Sequence, residues 1–323
     1  MRSYAVLALA ALAFALAAPL PAQPPADALR AALARQYRAE LETIAREAGG
    51  VLGVQALDLA SGERFGVNAE LVFPQGSAIK VAVLLELYRQ AEAGRLRLEE
   101  RVAVRAAQQV GGAGVLQSFG DGSSELALAD LAVLMIVLSD NTATNLLIER
   151  LGMENVNRTL AGLGLRETKL QRLMMRPRES ARGQENLSTP AEAAALMARL
   201  ARCELPLSPE GCRRMQAVLR IPKAGSFVAP LPAGVPVAWK PGELTGVRTA
   251  WGWIALAGRP YVLAVMLTYA DDAAAEAALR RVAAASYGYF SRLAGATRYG
   301  TRVPPALLAD SVGPAAPLTR PRL

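Results

Sequence analysis

Apolar residues recur at three- and four-residue spacing between positions 26 and 48, at Leu29, Leu33, Tyr37, Leu41 and Ile44, and Gly49-Gly50 ends the run. This pattern predicts an amphipathic helix with a C-terminal break. Residues 51–59 and 64–68 flank Ser61-Gly62-Glu63 and read as a hairpin. A second helical pattern begins at Ser77 and stops at Gly94. From 126 to 149 the chain is helical again, with one polar interruption at Ser139-Asp140-Asn141. Further helices are expected at 154–161, 190–201 and 209–219. Beyond Pro222 the character changes: 235–240, 249–257 and 261–269 are β-rich, and Gly258-Arg259-Pro260 forms a turn between the last two. An Ala-rich helix from 271 to 293 closes the pattern. The stretch 166–189 has little apolar periodicity, and a loop of that length inside a compact domain is usually functional.

The order is helix, two strands, a block of helices, three strands, helix. It predicts an α+β fold: an antiparallel sheet built from both ends of the chain, flanked by helices, with an all-helical block (about 77–220) inserted. One domain over 26–295 follows, with a cleft where block meets sheet. The Pro-rich tail, 296–323, is expected to be loosely ordered.

Composition sharpens this picture. Residues 1–22 read as a secretory leader, with basic Arg2, an Ala/Leu-rich core and Leu20-Pro21-Ala22 as the cleavage site, so release to the periplasm or beyond is expected. An uncleaved N-terminal anchor is the other reading of that segment. Of the 323 residues, 36 are basic and 28 acidic, for a formal charge of +8. The basic residues are scattered and aromatics make up 5%, so neither a basic stripe nor a stacking platform for nucleic acid is present. Cys203 and Cys212 bracket a short loop with two prolines; in an exported chain they suit a local disulfide, with two free thiols as the alternative.

The candidate chemistry starts at Phe73-Pro74-Gln75-Gly76-Ser77-Ala78-Ile79-Lys80. Ser77 and Lys80 stand three apart at a helix start, so they share a face and can share a proton. Ser-x-x-Lys is too short to stand alone. The chain contains no histidine, however, which excludes a Ser-His-Asp or Cys-His hydrolase and any zinc site that needs imidazole. A serine nucleophile here needs another base, and Lys80 is a leading candidate. Two further clusters follow in order: Ser139-Asp140-Asn141-Thr142-Ala143-Thr144-Asn145, where a helix cap alone would explain the polar triplet, and Trp239-Lys240-Pro241-Gly242-Glu243 at a strand end, where a turn would explain the sequence.

In this order the three clusters resemble the signature of the class A β-lactamases and related penicillin-recognising serine enzymes, Ser-x-x-Lys, Ser-Asp-Asn and Lys-Thr-Gly. The resemblance runs over roughly 26–295. It implies Ser77 as acylated nucleophile and Lys80 as its proton partner. Ser139 would relay a proton to the leaving nitrogen, Asn141 would hold the substrate amide, and Lys240 would hold Ser139 and favour the substrate carboxylate. The backbone N–H groups of Ser77 and Glu243 would form the oxyanion hole. By looser alignment Arg248 would bind the substrate carboxylate, with an unrelated surface arginine as the equal alternative. No cofactor or metal is implied, and a monomer acting on a small-molecule or peptide substrate is expected.

Two departures stand out. Pro241 replaces the usual hydroxyl residue, leaving Thr245 as a substitute; positions 241 and 243 share a strand face, so both should face the cleft with no ladder bond lost. The family's loop glutamate, which activates water for deacylation, corresponds here to Met174. Arg172 and Asn186 lie where the family closes this loop, and Glu179 or Glu185 are the nearest alternative bases. The expected activity is therefore acylation of Ser77 by β-lactams with slow release, the alternatives being a D-Ala-D-Ala peptidase and a non-catalytic ligand sensor.

Overall fold

The computed structural model describes residues 25–303; the leader at 1–22 and the tail beyond 303 lie outside the described residues. Helix α1 (Pro25–Glu47) leads into strands β1 (Val51–Asp58) and β2 (Arg64–Val67). Near the other end come β7 (Val237–Leu244), β8 (Val247–Ile254), β9 (Tyr261–Thr268) and α9 (Asp272–Leu293). The five strands form one antiparallel sheet in the order β2-β1-β9-β8-β7, so strands from both ends of the chain are joined through the β1–β9 pairing. That is the α+β arrangement expected.

Strands β8 and β9 are buried almost throughout. They therefore read as apolar runs rather than alternating patterns, because both faces of the sheet are covered. One core lies between the sheet and α1/α9, where Tyr37, Phe65, Tyr289 and Phe290 pack ring against ring. The other lies between the sheet and the inserted block, α2 (Lys80–Glu92), α3 (Leu128–Val137), α4 (Asn141–Leu151), α5 (Met153–Gly162), α7 (Pro190–Arg202) and α8 (Pro209–Arg220). Leu29, the first residue of the apolar pattern of α1, is 57% exposed. Residues 203 and 212 form a disulfide with Cα atoms 5.7 Å apart, tying α7 to α8.

The loop 166–189 is better organised than its sequence suggests. It holds a short helix, α6 (Pro177–Ala181), and a strand, β6 (Leu187–Ser188), that pairs with β3 (Phe73–Pro74). The Glu192 carboxylate accepts from the backbone N–H groups of Arg166, Glu167 and Thr168. Since β3 runs straight into Gln75-Gly76-Ser77, the loop is fastened to the segment that carries the serine. At the end of the described residues, Ala296 and Arg302 form an isolated antiparallel bridge.

Candidate active site

Ser77 sits at the first turn of its helical run, just ahead of α2. It lies in a 3-10 turn, Gly76–Ile79, that runs directly into α2 at Lys80. This turn is clamped from below by Gln75, which is fully buried. Its backbone oxygen accepts from Thr249 Oγ1 at 2.8 Å, its Oε1 accepts from Trp251 Nε1 at 2.8 Å, and its backbone N–H donates to Asn186 O at 2.8 Å. Gln75, Thr249 and Trp251 have no recognisable motif of their own, and sequence reasoning missed all three.

Two glycines let the turn and strand β7 touch. A Cβ on Gly76, whose φ is +49°, would come within 2.8 Å of Glu243 N. A Cβ on Gly242 would stand 2.7 Å from Ala78 N. With no side chain between them, the backbones at Ser77 and Glu243 lie side by side, and the first N–H groups of a helical turn lack intrahelical acceptors.

Ser139 lies between α3 and α4 with φ +54°, a left-handed conformation that costs a serine about 1 kcal/mol or more. Its backbone oxygen accepts from Lys80 Nζ at 2.7 Å. Its hydroxyl oxygen accepts from Lys80 Nζ at 3.2 Å and from Lys240 Nζ at 3.0 Å. A hydroxyl has two lone pairs and one hydrogen. With both lone pairs taken by lysines, the Ser139 proton is left to point elsewhere, and Ser139 lines the cavity. The neighbouring Asp140 caps α4 by accepting from Ala143 N at 2.8 Å, as one of the sequence readings had it. Its other oxygen accepts from Val115 N and Leu116 N at 2.7 and 2.9 Å, which holds the Gly-rich 111–116 segment over the site.

Asn141 receives Lys80 Nζ on Oδ1 at 3.0 Å and donates from Nδ2 to Gly111 O at 3.0 Å. One of its two amide hydrogens remains for a ligand. Lys80 thus has an acceptor for each of its three ammonium hydrogens, while the half-buried Ser77 hydroxyl forms no hydrogen bond among the described residues. Burial lowers Lys80 to about 7, against a weaker opposing pull from Asp140. Burial also pushes Lys240 well below the ordinary lysine range, helped by Lys80 and Lys223 and opposed by Glu243. A neutral lysine has a free lone pair, so this floor can take up a proton near pH 7.

Above the floor is a cavity of about 330 Å³ that Ser77, Ser139 and Asn141 line together with Met174, Arg172, Asn186, Pro241 and Glu243. Pro241 and Glu243 both border it, in keeping with their shared strand face. Pro241 lies on β7, the edge strand of the sheet, where a missing N–H is tolerated. Thr245 is not among the lining residues.

Met174 is held by Asn145, whose amide accepts from Met174 N at 2.8 Å and donates to Met174 O at 3.2 Å. The loop closes by an ion pair, Arg172 to Glu185 at 2.7 Å, with Asn186 Oδ1 accepting from the backbone of Gln171 and Arg172. Glu185 is therefore spent on loop closure, and neither it nor Glu179 borders the cavity. Arg248 also lies away from it, bound to Asp272 at 3.0 Å and Glu276 at 2.9 Å. A carboxylate-binding role for Arg248 finds no footing in that arrangement.

The site therefore sets a serine, at a turn before a helix, over two buried lysines that share a second hydroxyl. The model of the family described as "Beta-lactamase enzyme family" matches residues 36–290. Beta-lactamase L2 of Stenotrophomonas maltophilia is 31% identical over 275 residues, which is 80% of this chain and 88% of that protein. Among solved structures, a β-lactamase from Sphaerobacter thermophilus is 32% identical with a TM-score of 0.72 and covers 79% of this chain and 97% of its own. A point variant of PBP-A, solved as its acyl-enzyme complex with penicillin G, is 28% identical with a TM-score of 0.74 and covers 81% and 97%. The chain belongs to the Beta-lactamase enzyme family and is a serine hydrolase of the class A β-lactamase kind.

Proposed function

We propose that this enzyme is exported, that a β-lactam acylates Ser77, and that the acyl group leaves slowly. The observation that carries the reading is the Ser139 hydroxyl held between Lys80 and Lys240 beneath a cavity whose wall carries Met174 where a base would be needed. In acylation, neutral Lys80 takes the Ser77 proton as Ser77 Oγ bonds to the lactam carbonyl carbon. The N–H groups of Ser77 and Glu243 meet the developing oxyanion. The C–N bond then breaks, Ser139 passes its proton to the leaving nitrogen, and the proton on Lys80 replaces it across their shared hydrogen bond. A D-Ala-D-Ala-type peptide amide would follow the same course.

Deacylation needs a water and a base, and a thioether accepts no proton. Loss of general-base assistance costs about 10²–10⁴-fold. The relatives named β-lactamases and the penicillin G acyl-enzyme of PBP-A support the substrate class. Export is supported by the leader-like sequence and by the Cys203–Cys212 disulfide, since such bonds persist in oxidising compartments. The test is the intact mass of the protein after mixing with benzylpenicillin, with Ser77→Ala as control. A stable adduct on the wild type alone supports the reading; no adduct, or rapid turnover of a chromogenic cephalosporin, contradicts it.

A further inference from the structure

Glu243 borders the cavity together with Ser77 and Ser139. Its side chain is exposed, and no ion pair or side-chain hydrogen bond engages it among the described residues. The cation facing it across the β7–β8 ladder, Arg248, is taken by Asp272 and Glu276 at 3.0 and 2.9 Å. The guanidinium that lines the cavity itself, Arg172, is taken by Glu185 at 2.7 Å. Lys240 is fully buried, and its Nζ is occupied by Ser139 Oγ and Pro241 O at 3.0 and 2.9 Å. Pro241 offers no hydroxyl on the strand face it shares with Glu243. The β7 side of the cavity therefore presents one unpaired carboxylate, and both nearby guanidinium forks are turned to other acids.

We propose that Glu243 makes the β7 side of the cavity a cation-selecting subsite, so that the favoured acyl donor carries an ammonium rather than a carboxylate beside the bond that breaks. The inference rests on the acylation of Ser77 proposed above. A free carboxylate bound there would stand within several ångströms of Glu243 with no guanidinium to receive it, and an ammonium in the same place would gain what the carboxylate loses. Burial keeps Lys240 well below the ordinary lysine range, which weakens its pull on an anion. In a half-solvated site such a charge contrast is worth roughly tenfold, and salt reduces it.

The experiment offers the protein equal amounts of benzylpenicillin, its methyl ester and its 2-aminoethyl amide. These carry a negative, zero and positive charge at one position and give Ser77 adducts of different mass. At low salt the aminoethyl amide should label the wild type roughly tenfold faster than benzylpenicillin, with the methyl ester between them, and added salt should narrow the ratio. Glu243→Gln should bring the ratio towards one, and Glu243→Lys should reverse it. Because the compounds keep their shapes, comparison between variants cancels differences in bulk. A wild type that prefers the free carboxylate, or a ratio unmoved by Glu243→Gln, overturns the inference while leaving acylation of Ser77 intact. Failure of all three compounds to label Ser77 overturns the acylation reading and this inference with it.

Discussion

Raising the pH from about 6 to about 8 should speed Ser77 acylation roughly tenfold, with little further gain above that. The reason is the protonation state of Lys80, which burial brings from 10.5 down to about 7. With a midpoint near 7, about one-tenth of the lysine is neutral at pH 6 and about nine-tenths at pH 8. An unshifted lysine would be neutral in only about three molecules in ten thousand at pH 7, so the shift increases the competent population by about three orders of magnitude. The same shift has a stability signature. Between about 7 and 10.5 the unfolded chain holds the Lys80 proton and the folded one does not, so this group's contribution to stability rises with pH across that window and is least below it. The assay is the rate of adduct formation in quenched samples at constant ionic strength, using a β-lactam that does not titrate in the range. Lys80→Gln should flatten the profile and slow acylation by about 10²–10⁴-fold. A wild-type rate that is flat from about pH 6 to 8, or that keeps climbing as an ordinary lysine titrates, would refute the reasoning.

Met174→Glu should raise the rate of adduct loss by about 10²-fold or more, measured as the decay of the acylated mass after free drug is removed; an unchanged decay would mean that position 174 does not face the water that attacks. Gly76→Ala should abolish acylation in a protein that still folds, because its Cβ would come within 2.8 Å of Glu243 N and force the Ser77 turn off strand β7. A variant with wild-type acylation and an intact circular dichroism spectrum would show that this close approach is dispensable.

Much of this molecule was legible in its sequence, for identifiable reasons. Periodicity marked α1 because it buries one stripe against the sheet, and alanine content marked α9. Strands β8 and β9 announced themselves by apolar content, since both sheet faces are covered. Ser77 and Lys80 could be picked out because three-residue spacing puts them on one helix face, and Ser139, Asn141 and Lys240 because the ordered clusters resemble the class A β-lactamase signature; the structure brings all five to one place. What stayed hidden was long-range pairing. Gln75 looks like any loop glutamine until Thr249 and Trp251 arrive from β8. Arg248 looked available because the acids that take it, Asp272 and Glu276, lie more than twenty residues on. Glu185 could be read as a spare base for the same reason, its partner Arg172 being at the other end of the loop. The Ser77 turn reads as helix because nothing local separates one 3-10 turn from the α-helix it enters.

The central claim is that Ser77 acylates readily and that Met174 leaves the acyl-enzyme without a base. Following the intact mass of the wild-type protein over time, after a short exposure to benzylpenicillin and removal of the free drug, tests it most directly. A one-to-one adduct on Ser77 that persists for hours is the predicted result. No adduct would contradict the first half of the claim, and an adduct that clears within seconds would contradict the second.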